Sequence, residues 1–225
     1  MTYNDIDKEL VNFFFQLREH PEVLIEKIHL TLYSREELAL ACEPHWEGVE
    51  RARRFFVRVS QSMNGVIRDT NAKRWKRTTK SLPFSLVSEV WKKRPAQLVE
   101  VVEQLRGIQI ENKPALQIIE DFDTDHTFFY CDPPYLLETR TGGKAYSNEM
   151  DMEDHIVFLN SIDLIQGKAM ISGYQSEMYD NILANFTRID APEKYMHASG
   201  KKKSEGATRQ ECVWINYDPP QEGLI

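Results

Sequence analysis

The stretch that most constrains this chain is Thr127-Phe128-Phe129-Tyr130-Cys131-Asp132-Pro133-Pro134-Tyr135. Five β-prone residues of the kind that fill a buried strand run directly into an acid, two prolines and an aromatic. Proline fixes φ and donates nothing to a sheet ladder, so the strand ends at Asp132 and delivers a rigid polar corner to the sheet edge. Carbonyls around Pro133 and Pro134 are left to accept hydrogen bonds from elsewhere, with the Asp132 carboxylate and the Tyr135 ring beside them. Those parts suit gripping a planar amino-bearing base: a carboxylate and a carbonyl take the two N–H bonds of an exocyclic amine while an aromatic stacks on the ring. The plainer alternative is a Pro-Pro loop after a buried strand, and the preceding strand is the context that favours a site.

Upstream of this stretch the periodicity is helical. Ile6, Leu10, Phe13, Phe14 and Leu17 recur at helical spacing up to His20-Pro21, predicting a helix over 6–19. Tyr3-Asn4-Asp5-Ile6-Asp7 reads as the end of a strand and its turn, although only two residues precede Tyr3 and a strand takes about five. Further helices are predicted over 23–32, after a capping box at Ser34-Arg35-Glu36-Glu37, over 49–63, 84–92 and 96–106, the last with Pro95 near its start and Gly107 after its end. Beyond residue 107 strands and helices alternate: strands over 108–110, 127–131, 168–172 (ended by Gly173), 186–190 and 211–217, and helices over 114–120, 152–162 and 178–185. The loop 136–150, with Gly142-Gly143, is long enough for a lid. This alternation predicts an α/β fold with a largely parallel sheet.

Charge is unevenly spread. The formal net charge of −7 argues against a protein that coats nucleic acid indiscriminately. Between Arg51 and Arg94, however, thirteen Lys or Arg face only Asp69 and Glu89, about +11 locally against about −18 for the rest of the chain. Arg51, Arg54 and Arg58 fall on one helical face, away from the apolar stripe of Val49, Ala52, Phe56, Val59 and Met63. Asn64-Gly65 stops that helix, and a polar loop carries Arg68, Lys73, Arg74, Lys76, Arg77 and Lys80 around Trp75. Basic residues interleaved with an aromatic suit phosphate contact with stacking or wedging at a base step. A solvated helical face, and a Trp75 that merely pins its loop, are the alternatives; Lys201-Lys202-Lys203 reads as a solvated turn. Three scattered cysteines and six scattered histidines show no metal-ligand or disulfide spacing, so no metal is expected. With neither a membrane-length apolar run nor a signal peptide, the expected location is cytoplasmic.

Taken in order, Tyr3-Asn4-Asp5-Ile6-Asp7, Asn64-Gly65, Glu111-Asn112, Phe129 to Tyr135, and Trp214-Ile215-Asn216-Tyr217 resemble the Dam-type DNA adenine-N6 methyltransferases, particularly phage-like members. The resemblance runs over essentially the whole chain. It implies a Rossmann-like methyltransferase sheet (1–29 and 107–225) with a helical, basic target-recognition insert (30–106), S-adenosylmethionine as cofactor, and double-stranded DNA with a flipped adenine as partner. By this resemblance Asp132, Pro133, Pro134 and Tyr135 match the catalytic motif, and Asp5 matches the acid that bonds the cofactor ribose. Asp7 matches a neighbouring position, or simply caps the first helix, while Glu111 and Asn112 match the region beside the cofactor's adenine. Arg51, Arg54, Arg58, Asn64, Arg68, Lys73, Arg74, Trp75, Lys76, Arg77 and Lys80 sit in the insert as DNA-contacting candidates. The implied mechanism is direct transfer, with Cys131 a core thiol rather than a nucleophile.

The family's Gly-rich Phe-x-Gly-x-Gly loop, which precedes the Asn-Asp turn, has no counterpart in these residues. The expectation is therefore a sheet incomplete at the N-terminus, in a truncated copy that binds its cofactor poorly alone, an inactive remnant, or one half of a protein completed by an N-terminal chain. Two other readings stay open: a methyltransferase for another planar amine (cytosine N4, RNA adenine, glutamine amide), and a DNA-binding module using only the basic insert.

Overall fold

The computed structural model describes residues 1–44, 47–63, 75–76, 87–140, 146–192, 194–195 and 208–219. They form two compact units, 1–114 with 145–148, and 115–144 with 149–225.

In the first unit β1 (Thr2–Asn4) runs parallel to β2 (Gln109–Glu111), with Tyr3 opposite Ile110. Between them come α1 (Lys8–Glu19), α2 (Pro21–His29), α3 (Arg35–Ala41), α4 (Gly48–Gln61) and α5 (Val87–Leu105). Local chemistry sets the starts: Asp7 accepts from the Glu9 N–H at α1, Pro21 occupies the first position of α2, and Ser34 accepts from the Glu37 N–H at α3. Phe13 and Leu17, Leu24 and Ile28, Ala52 and Phe55, and Trp91 and Leu98 bring four helices into one core. The residues of that core run from Leu10 to Leu105 and so lie on both sides of the expected boundary at 29/30.

Two helices were expected over 84–92 and 96–106, but α5 runs unbroken through Pro95. Proline removes one backbone bond and would break an isolated helix. Here Trp91, Pro95 and Leu98 are all buried, and the Trp91 indole donates to the Thr31 carbonyl at 2.9 Å, so tertiary packing carries the helix across the missing bond.

The second unit is built on β3 (Phe128–Cys131), β4 (Lys168–Tyr174), β8 (Glu211–Ile215) and β5 (Thr187–Asp190), in that spatial order. β3 and β4 are parallel, but β8 is antiparallel to both of its neighbours, so the sheet is mixed rather than largely parallel. The cause is a reversal after β5: β6 (Lys194–Tyr195) and β7 (Thr208–Arg209) pair antiparallel and send the chain back along β5 as β8. Phe129, Ala169, Ile171, Cys212 and Trp214 point to one face, where they meet Ile119 of α6 (Ala115–Phe122), Phe158, Leu159 and Ile162 of α7 (Met152–Asp163), and Tyr179 of α8 (Glu177–Ile182). The α/β class expected from the alternation is present.

Two glycines place β4. The strand does not end at Gly173 but continues to Tyr174, held by pairing with Cys212 and Glu211 of β8, and a Cβ on Gly173 would lie 3.1 Å from the Trp214 ring. Gly167 sits just before β4, and a Cβ on it would come within 2.7 and 2.8 Å of the Thr127 and Thr124 carbonyl oxygens. Gly167→Ala is therefore expected to lower the unfolding free energy by about 2 kcal/mol, measured by urea denaturation, since backbone has to move to admit it.

Candidate functional site

The corner forms as the prolines dictate. β3 stops at Cys131, which pairs with Ile171 of β4, so the next residues along the two parallel strands, Asp132 and Ser172, stand side by side. The Ser172 hydroxyl donates to Asp132 Oδ1 at 2.6 Å and lies 3.3 Å from the Cys131 carbonyl. Ser172 is 9% exposed, whereas Asp132 is exposed. A half-buried Tyr135 meets the Tyr174 ring edge-on, with centroids 4.8 Å apart at 79°, and Leu136 is buried directly after it. The arrangement holds one carboxylate oxygen, leaves the other with its acceptor capacity, and sets an aromatic ring beside it.

Ser172 and Tyr174 were not among the residues expected at this site. Their only sequence signal is parity, two polar-edged residues on alternate positions at the end of the neighbouring strand. The register that brings them to Asp132 and Tyr135 is not written locally.

Behind the corner, burial pushes the Cys131 thiol up to about 12, which leaves it a protonated core group and not a nucleophile. His155 is fully buried, its Nδ1 2.9 Å from the Tyr179 hydroxyl, and burial lowers its pKa below the ordinary imidazole value. Past the corner, Leu137–Thr139 make a 3-10 turn, and the largely buried Arg140 and Glu149 form an ion pair at 2.5 Å. Gly142 and Gly143, the expected lid tip, lie outside the described residues.

In the first unit, Asp5, Asp7, Glu111 and Asn112 gather at the C-terminal ends of β1 and β2. The Asn112 amide donates to the Asp5 carbonyl at 2.7 Å, and the Asp5 N–H reaches the Glu111 carbonyl at 3.3 Å. Asp5 Oδ1 accepts from the Asp7 N–H at 2.8 Å, and Oδ2 lies 3.3 Å from the exposed Tyr3 hydroxyl. Asp7 is occupied as the cap of α1, accepting from the Glu9 N–H at 2.9 Å, and burial raises its carboxyl above the ordinary value. The Glu111 carboxylate takes the Gln109 amide at 2.6 Å. Asp5 and Glu111 thus both bring a carboxylate to the carboxyl ends of the two parallel strands.

Of the basic candidates, Arg51, Arg54 and Arg58 do not form an outward positive face. Arg51 and Arg58 bond the two Glu9 oxygens at 2.6 and 3.1 Å, and Arg58 also reaches the Ala41 carbonyl at 2.9 Å. Arg54, 6% exposed, bonds Glu50 at 2.9 Å and the Leu40 carbonyl. Regular spacing put them on one side of α4; α1 and α3 pack on that side, and their acids and carbonyls neutralise it. Trp75 behaves as an anchor, its ring 5.4 Å from Tyr33, its indole donating to Gln61, and the Arg35 guanidinium over it. The Lys76 N–H is bonded to the Gln61 carbonyl at 2.7 Å. Asn64, Arg68, Lys73, Arg74, Arg77 and Lys80 lie outside the described residues.

Among the described residues there is no group of three metal-ligating side chains, and no helix is long and apolar enough to cross a membrane. Residues 1–197 match the model of a protein family described as D12 class N6 adenine-specific DNA methyltransferase. No curated protein matches the chain.

Proposed function

The chain belongs to the D12 class N6 adenine-specific DNA methyltransferases, enzymes that use S-adenosylmethionine to methylate adenine in DNA, and on that premise we propose that Asp132, Pro133, Pro134 and Tyr135 hold the target base. One observation carries the assignment of residues: the exposed Asp132 carboxylate, at the C-terminal end of β3, has one oxygen tied to Ser172 and the Tyr135 ring nearby.

Adenine inside a duplex cannot reach such a corner, so the base leaves the stack, at a cost of a few kcal/mol. The Asp132 carboxylate and the Pro133 carbonyl accept the two N–H bonds of the 6-amino group, which draws its lone pair out of conjugation with the ring. Tyr135 stacks on the base. S-adenosylmethionine supplies an electrophilic methyl carried on a sulfonium. The acceptors at the corner would take the proton that the methylated nitrogen releases, and Asp132's exposure would open that path to water. Orientation and fixed charge supply the acceleration, and no side chain becomes covalently linked.

Asp5 is the residue we assign to the ribose hydroxyls of the cofactor. Asp7 and Asn112 serve that role indirectly, one donating its N–H to the Asp5 carboxylate and the other holding the Asp5 carbonyl. Asn64, Arg68, Lys73, Arg74, Lys76, Arg77 and Lys80 are the DNA-contacting candidates, because Arg51, Arg54 and Arg58 are committed to internal pairs.

The reading is tested by offering the protein methyl-labelled S-adenosylmethionine with matched double-stranded DNA, RNA and peptide pools. Label is expected in DNA alone, falling steeply with added salt as phosphate contacts are screened. Equal or faster labelling of RNA or peptide contradicts it.

A further inference from the structure

We infer that Ser172 is a positioning residue for the transfer, fixing the Asp132 carboxylate so that Oδ2 is presented to the base in a single orientation. The inference rests on the functional reading above and adds to it a residue outside the corner itself.

Asp132 is exposed, and an exposed carboxylate on two rotatable bonds samples several rotamers within nanoseconds. A flexible acceptor is a poor one for a reaction that depends on where the amine lone pair points. Ser172 is placed to remove that freedom. It lies on β4 opposite Val213 of β8, one residue past Ile171, whose pairing with Cys131 ties β4 to β3, so its backbone is held within the sheet. At 9% exposure it is desolvated, and its single hydroxyl proton goes to Asp132 Oδ1 at 2.6 Å, a short charge-assisted bond. With Oδ1 held, Oδ2 is the oxygen left to accept from a ligand. Two residues further along the same face of β4, Tyr174 contacts the Tyr135 ring. The end of one strand thus braces both ends of the corner.

A purely structural serine makes a different pattern. The Cys131 carbonyl, 3.3 Å from Ser172 Oγ, is a second acceptor, so the hydroxyl does not need Asp132 to be satisfied. Loss of the hydroxyl then has its main consequence at Asp132 and little at the fold.

Ser172→Ala and Ser172→Thr are compared with the wild-type protein for kcat, KM for DNA and thermal midpoint. Ser172→Ala is expected to lose about 10- to 100-fold in kcat with KM changed less than about threefold, the signature of a misplaced group that still binds. Ser172→Thr, which keeps the hydroxyl, restores most of that loss. A Ser172→Ala kcat within about threefold of wild type, a loss carried by KM alone, or a Thr variant no better than Ala overturns the inference. If the wild-type protein transfers no methyl to adenine, the functional reading fails separately. The crystal structure of Ser172→Ala then decides the inference: a carboxylate of Asp132 in several orientations supports it, and the wild-type orientation overturns it.

Discussion

Asp132→Ala is expected to reduce methyl transfer to adenine by about a thousandfold while lowering stability by less than about 1 kcal/mol. The large kinetic effect follows from what the residue supplies. Its carboxylate is one of two acceptors assigned to the 6-amino group, and the one that carries charge as positive charge develops on nitrogen. Removing a preorganised charged partner of that kind typically costs a hundred- to a thousandfold, and here it also releases the lone pair back into the ring. The small effect on folding follows from exposure: the side chain buries little, and Ser172 keeps the Cys131 carbonyl as an acceptor. Single-turnover kinetics alongside urea unfolding separates the two quantities. A variant that loses activity and stability together would mark Asp132 as a structural residue.

The largest stability effect is expected in the helical part, at Glu50. Its carboxylate accepts from Arg53 at 2.7 Å and from Arg54 at 2.9 Å, and both guanidinium groups are mostly buried. Glu50→Ala removes the charge they share, and an uncompensated buried charge costs about 3–5 kcal/mol. The lower end of that range applies, because Arg53 keeps Glu37 at 3.0 Å. The effect depends on pH in a defined sense. Hydrogen bonds from Arg53, with those of Arg54, hold the Glu50 carboxyl down at about 2, below the usual carboxylate range. A depressed folded-state pKa gives stabilisation that is complete above the ordinary value of 4.5 and disappears as pH falls through about 2. The stability gap between wild type and Glu50→Gln should therefore be full at pH 6 and narrow steadily between about pH 4.5 and 2. A gap independent of pH would mean that Glu50 acts by packing alone. The same pairs make Arg54→Ala a folding variant before it is a DNA-binding one.

What was legible in the sequence was local. Pro133 and Pro134 end β3 where the sequence reading ends it, and Asp7 and Ser34 cap helices beginning within two residues of the expected starts, because capping and proline geometry act over a few positions. Partners across space were not legible. Helical spacing put Arg51, Arg54 and Arg58 on one face but could not say that Glu9, forty-odd residues earlier in the chain, would meet it. Gly173 looked like a terminator, since nothing nearby shows that the Trp214 ring crosses it. Pro95 looks like a helix start by local propensity, which the core that Trp91 and Leu98 enter overrides. Ser172 escaped for the same reason: its importance is a matter of register between β3 and β4. The corner of Asp132, Pro133, Pro134 and Tyr135 was readable, while the residue proposed to aim it was not.

The central claim is that the corner after β3 holds the amino group of an adenine in DNA. Its most direct test is to digest DNA methylated by the protein to nucleosides and identify the methylated one by mass spectrometry, with wild type and Asp132→Ala run in parallel. The expected result is N6-methyldeoxyadenosine from wild type and its loss from the variant. N4-methyldeoxycytidine as the product, or N6-methyldeoxyadenosine formed equally well without Asp132, would contradict it.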